Sequence, residues 1–205
     1  MIPDERPFSF ESDGLRLEGM LHEGDGATAA IVLHPRPLYG GDMDNHVVLA
    51  LRASLTEAGA TTLRFNFRGT GRSEGTHDNG RGEADDARAA IRSLRELGPG
   101  CGVVLAGYSF GAHVAARVAL TVLLDGLILV SPPFTDGPLP TLPESVDTLL
   151  VTGEWDDSAP AARLAGLAGP RRRFVVVEGT GHGWWPGVDR LVAEVRTFLG
   201  ELPRR

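Results

Sequence analysis

Near the middle of the chain, Ser109 stands in the segment LAGYSFGAH, with Gly107 two residues before it and Gly111 two residues after. One apolar run ends here and another begins. A G-x-S-x-G pattern between a strand and a helix describes a sharp turn that lifts the serine hydroxyl clear of the backbone. The glycines stand where a Cβ would collide with the neighbouring strand or helix. A hydroxyl presented at a helix N-terminus also faces free N–H groups and the positive end of the helix dipole, which favour a developing negative charge. The competing interpretation is an ordinary N-cap serine in a glycine-rich turn.

An alcohol needs a base to become a nucleophile, and the base needs a group to orient it. Six histidines are available. His182, in EGTGHGWW, follows the last strand-like run and precedes the last helical one, with Gly181 and Gly183 on either side. That puts it on the same rim as Ser109 with a reachable imidazole. His34 ends an earlier strand in LHPRPLYGG, where its place before Pro35 marks it as a brace for the loop. His113, one turn into the helix after Ser109, is expected to pack. His22, His46 and His77 have no distinguishing context and are expected at the surface. The acid should come from VTGEWDDSAP, which holds Glu154, Asp156 and Asp157. Asp157 also suits a helix cap, and spacing alone leaves Asp156 and Asp157 both open.

Such chemistry also needs donors for an oxyanion. One is the N–H of Phe110, directly after the serine. The second should come from HPRPLYGG. Pro35 and Pro37 carry no N–H, so within HPRP beyond the histidine only Arg36 can donate. Each donor of this kind is worth about 3–4 kcal/mol of transition-state stabilisation.

These residues require a frame that brings distant segments to one edge. FSFES and LRLEGMLHE read as two strands joined at Asp13-Gly14, a hairpin signal. AAIVLH reads as a continuous apolar run of the kind expected in a strand buried on both faces, and TTLRFNF, GVVLAGY, GLILVS, DTLLVTG and RFVVVEG read as further strands. Between them lie the helical patterns HVVLALRASLTEAG, EADDARAAIRSLRELG, FGAHVAARVALTVL and a short SAPAARLAGLA, and VDRLVAEVRTFLGEL closes the chain. RGTGRSEGTHDNGRG and PPFTDGPLPTLPES read as loops. The expected fold is α/β: a mostly parallel eight-stranded sheet with an N-terminal antiparallel hairpin, helices on both faces, and one domain over residues 1–205. Ligands of such sheets bind outside the C-terminal strand ends.

Composition narrows the classes. The 205 residues carry a formal charge of −7, and all 20 basic residues are arginine. An acidic chain without a basic stripe argues against nucleic acid and anionic membranes as partners. No apolar run approaches the roughly 18 residues of a membrane span. MIPDERPFSF lacks the basic and apolar regions of a secretion signal, so the cytoplasm is the expected compartment. The single cysteine, Cys101, is expected to pack.

The order Ser109, Asp156, His182, together with HPRPLYGG, RFNFRGTGRSEG, GYSFG, GEWDDSAP and GTGH, resembles the α/β-hydrolase superfamily over essentially the whole chain. Within it the chain is similar to small bacterial, dienelactone-hydrolase-like carboxylesterases with little or no cap. The resemblance implies that the acid is Asp156, by its place in a G-x-x-D segment, and that His182 is the base. It also implies that Arg36 gives the second oxyanion N–H and that Asn66 and Arg68 are structural. The chain departs from these relatives at GHGWW, where other aromatics usually follow the histidine.

A catalytic Ser109–His182–Asp156 set with Phe110 and Arg36 as oxyanion donors is therefore expected, without metal or organic cofactor. Its substrate would be a small ester or thioester, and Tyr39, Tyr108, Phe134 and Trp184, with Phe110 and Trp185, are expected to wall an open apolar pocket. The oligomeric state stays open, a homodimer included. Two other functions compete: a cyclase, acyltransferase or isomerase on the same fold, and a non-catalytic binding protein.

Overall fold

The structure is a computed structural model that describes residues 5–24, 28–98, 100–135 and 137–203. Eight strands form one sheet in the order β1-β2-β4-β3-β5-β6-β7-β8. β1 (Glu5–Ser12) and β2 (Leu15–His22) make the expected hairpin, with Asp13 and Gly14 at φ 51° and 78° as its two-residue turn requires. β2 runs antiparallel to β4 (Thr61–Phe65). The remaining pairings, among β3 (Thr28–Leu33), β4, β5 (Gly102–Tyr108), β6 (Gly126–Val130), β7 (Asp147–Trp155) and β8 (Arg172–Gly181), are parallel.

Period-2 alternation sorts the strand side chains into two cores. Ile31, Leu33, Leu105, Leu127 and Leu129 meet α2 (Gly82–Leu97) and α3 (Phe110–Val118) on one face. Val32, Val104, Ile128, Val130 and Val151 meet α1 (His46–Glu57) and α5 (Val188–Glu201) on the other. Each central strand is covered twice, which is why it reads as an unbroken apolar run. A short α4 (Ala161–Ala165) anchors through fully buried Leu164.

α3 stops at Val118, five residues before its apolar pattern ends. Downstream, Asp125 is drawn to the start of β5: its carboxylate accepts from Val103 N–H at 2.6 Å and its N–H donates to Val103 O at 2.8 Å. The chain must leave the helix to reach that clamp, and Leu123 is left 86% exposed. Between β6 and β7 the described residues form no helix or strand, so among them no lid element stands over the strand ends.

Candidate active site

Ser109 sits between β5 and α3 at φ 54°, ψ −121°. Its N–H donates to Val130 O at 2.8 Å, and its carbonyl accepts from Ala112 and His113 as the helix starts. The turn is tight. A Cβ on Gly107 would overlap the carbonyl of Gly111, and one on Gly111 would overlap Leu33 O and lie 2.6 Å from His34 O. The two glycines thus let α3 begin directly against the ends of β5 and β3.

His182 follows β8, and its Nε2 lies 2.9 Å from Ser109 Oγ. Its Nδ1 is 2.9 Å and 3.0 Å from the two carboxylate oxygens of Asp156. This pattern assigns the Nδ1–H tautomer: the imidazole donates to the carboxylate and accepts the serine proton at Nε2. Asp156 is 3% exposed, whereas Asp157 is exposed, so the structure brings Asp156 to the imidazole. Ser158 N–H and Ala159 N–H donate to Asp156 Oδ1 at 3.0 and 2.9 Å. Burial works against the charge on Asp156, but His182 and the hydroxyl and amide donors outweigh it and hold the carboxyl below the usual range.

His34 is fully buried within the loop frame. Its Nδ1–H donates to Pro35 O at 2.7 Å, and its Nε2 accepts from Phe67 N–H at 3.0 Å. Burial pushes its pKa down to about 4, so it stays neutral as this bonding requires. The loop it braces carries Arg36, whose guanidinium lies 4.8 Å above the Phe110 ring. Phe110 opens α3, where helix geometry leaves its N–H without an intrahelical acceptor. Arg36, Tyr39 and Phe110 line a cleft of about 420 Å³ with Asn79, Arg117 and Thr135. Tyr39 is 88% exposed at its mouth.

The expectations for Trp184, Tyr108, His46 and His77 are corrected. Trp184 is fully buried with its indole N–H on Ser131 Oγ at 3.0 Å, so it packs in the core and walls no open pocket. Tyr108 is also buried, and its hydroxyl donates to His182 O at 2.7 Å. It ties the serine turn to the histidine turn instead of facing a ligand. Phe134 is half-buried beneath the Arg163 guanidinium, 4.3 Å from its ring, while Trp185 is exposed and stacks on His46 at 4.1 Å. His46 is no idle surface residue, since its Nε2–H donates to Gly183 O at 3.0 Å beside His182. The His77 side chain is 8% exposed and lies 2.6 Å from fully buried Glu83. Nothing local announces His46, because its partner is 137 residues away.

Asn66 and Arg68 do structural work. Asn66 bonds Met43 N–H and Glu18 at 2.9 and 2.8 Å, and Arg68 pairs with buried Asp86 at 2.7 Å. Among the described residues no group of three or more His, Cys, Asp or Glu is placed to hold a metal ion, and no helix is long and apolar enough to cross a membrane.

Comparison with known proteins places the chain. Residues 30–144 match the model of the alpha/beta hydrolase family. An uncharacterized protein of Rickettsia prowazekii is 40% identical over 122 residues, 58% of this chain and 51% of that protein, so the match spans about half of the relative's length. An alpha-beta serine hydrolase homologue from Coxiella burnetii is 31% identical, with a TM-score of 0.84 and coverage of 96% of this chain and 98% of that one. A Xanthomonas campestris protein described as an α/β serine hydrolase without lid superposes with a TM-score of 0.86 at 27% identity, over 100% of this chain and 98% of that one. A mostly parallel sheet, a glycine-flanked serine turn, the family match over residues 30–144 and structural likenesses over 96% or more of the chain lead to one conclusion: the chain belongs to the alpha/beta hydrolase family.

Proposed function

We propose that this hydrolase cleaves a small ester or thioester through an acyl-enzyme on Ser109. The observation that carries the reading is the unbroken chain from Ser109 Oγ to His182 at 2.9 Å and on to Asp156 at 2.9 Å. In the first step His182 Nε2 takes the serine proton as Oγ attacks the substrate carbonyl. Asp156 holds the imidazole and balances its positive charge. The N–H groups of Phe110 and Arg36 stabilise the oxyanion. The imidazolium then protonates the departing alcohol or thiol, leaving the acyl group on Ser109. Water, deprotonated by His182, releases the acid and restores the serine.

The open rim supports small substrates without chain-length selection by a lid. A fluorophosphonate should label wild-type protein at Ser109, and Ser109→Ala should abolish labelling. The variant should also lower turnover of p-nitrophenyl acetate and of a thioester by about 10³-fold or more. Folded wild-type protein that neither labels nor turns over either substrate would refute the reading.

A further inference from the structure

His182 rides on a turn that its own sequence restrains weakly, because glycine stands on both sides of it. Gly183 is not there for room: apart from its chain neighbours, a Cβ on it would meet nothing nearer than Trp185 Cδ1 at 4.0 Å. Yet three successive carbonyls of this turn are each held. Gly181 O accepts from Trp184 N–H at 3.1 Å. His182 O accepts from the Tyr108 hydroxyl at 2.7 Å, and Gly183 O from His46 Nε2–H at 3.0 Å. The first bond is local. The other two come from 74 and 137 residues away, one from the end of β5 and one from the start of α1. Tyr108 is the last residue of β5, so a single strand end carries both Ser109 and the hydroxyl that holds the His182 main chain. Its ring is 5% exposed, packs in the same core as Trp184 and lies 5.8 Å from the imidazole. Close packing leaves such a ring little freedom to swing, so the strand fixes where the hydroxyl sits. Burial, joined by the nearby Asp156 charge, pushes the phenol up to about 12, and it stays a donor across the neutral range.

We propose that Tyr108 is a positioning residue: its hydroxyl, with His46 as a second anchor, ties the main chain of His182 to the strand that carries Ser109 and so keeps Nε2 within reach of Oγ. The inference rests on the reading of Ser109, His182 and Asp156 as a working triad. The two restraints on the imidazole divide the task. Asp156 sets the rotation of the ring through Nδ1, and Tyr108 sets the place of the backbone from which the ring hangs. Without the tether the carboxylate would still grip the ring, but the glycine-flanked turn beneath it would drift. Acylation and deacylation use the same imidazole, so both should slow together.

The test compares wild type with Tyr108→Phe, His46→Ala, His46→Gln and the double variant Tyr108→Phe/His46→Ala. Fluorophosphonate titration counts the working sites, and kcat and KM are read on p-nitrophenyl acetate, with Tm alongside. Tyr108→Phe removes one oxygen and keeps the ring. It should melt about 2–4 °C lower, as the loss of one hydrogen bond predicts. Every site should still label, but about tenfold more slowly. The kcat per labelled site should also fall about tenfold with KM little changed, short of the roughly 10²-fold that a full 1 Å misplacement costs. His46→Ala should lose several-fold in kcat, and His46→Gln less, because its amide can still donate to Gly183 O. The double variant should lose more than either alone. Wild-type kcat per labelled site in Tyr108→Phe would overturn the inference, whatever its Tm. So would fewer labelled sites that each turn over at the wild-type rate, which marks a purely structural part. Were Tyr108→Phe not to fold, His46→Ala decides: wild-type kcat per labelled site there would overturn the claim that the turn depends on outside anchors. Wild type that fails to label with fluorophosphonate would sink the triad reading itself. Labelled, active wild type beside unaffected variants sinks only the inference.

Discussion

A serine at φ 54° holds a conformation that costs an L residue of the order of 1–3 kcal/mol. The fold tolerates this because the surrounding hydrogen bonds leave the turn no alternative: Ser109 N–H is fixed on Val130 O, and its carbonyl already serves α3. The strain aims Oγ at His182, so stability and the proposed activity pull in opposite directions at this position. Ser109→Gly and Ser109→Ala both remove the hydroxyl, yet only glycine relaxes the backbone. Ser109→Gly should therefore be more stable than Ser109→Ala by about 1 kcal/mol in urea denaturation, with both inactive. Equal midpoints would show that the turn is unstrained.

At the scale of elements, the turn works only if α3 can start against the end of β3. Gly111→Ala would drive a methyl group into Leu33 O and His34 O, backbone atoms that cannot swing aside. The helix would have to retreat from the loop that carries Arg36. The expected loss is about 1–3 kcal/mol of stability, read by urea denaturation. Turnover of p-nitrophenyl acetate should fall by about 10²-fold as the two proposed oxyanion donors move apart. Those two glycines were legible in the sequence because their spacing around Ser109 is local, and so were the strands, whose apolar runs report burial on both faces. His182 was legible for the same reason, by its place directly after a strand. What escaped the sequence depends on contacts between distant segments. Spacing alone leaves Asp156 and Asp157 both open, and only the G-x-x-D resemblance points to Asp156; the physical reason is which carboxylate the strand end buries, and one-residue spacing does not carry that. Tyr108 and Trp184 advertise an aromatic ring but not its direction, and both point inward to hold the His182 turn. The early end of α3 follows from a clamp between Asp125 and Val103, 22 residues apart.

Across the whole molecule, the N-terminal hairpin is tied to the candidate site by a buried charge cluster. The Glu5 side chain, at the start of β1, is 2% exposed and pairs with Arg64 of β4 at 2.8 Å and with Arg52 of α1 at 3.0 Å. Arg64 in turn donates to Met43 O at 3.1 Å and pairs with Asp44, just beyond the loop that holds Arg36. One carboxylate thus joins the outermost strand, the sheet and α1 to the segment that follows the proposed oxyanion loop. Burial disfavours the charge on Glu5, but Arg64 and Arg52 outweigh it and keep its pKa below the ordinary value. A carboxyl lowered in the folded state stabilises the protein fully above its unfolded pKa, near 4.3, and that contribution fades as the pH falls through the folded value. Glu5→Gln keeps the shape but leaves two nearly buried guanidinium groups without this counter-charge, which should cost about 3 kcal/mol at pH 7. The deficit relative to wild type should shrink as urea denaturation is repeated below about pH 4, where wild type loses the same charge. A deficit that stays constant from pH 7 to pH 3 would mean that Glu5 acts through packing alone. The loosened anchor at Met43 should also lower kcat on p-nitrophenyl acetate at neutral pH.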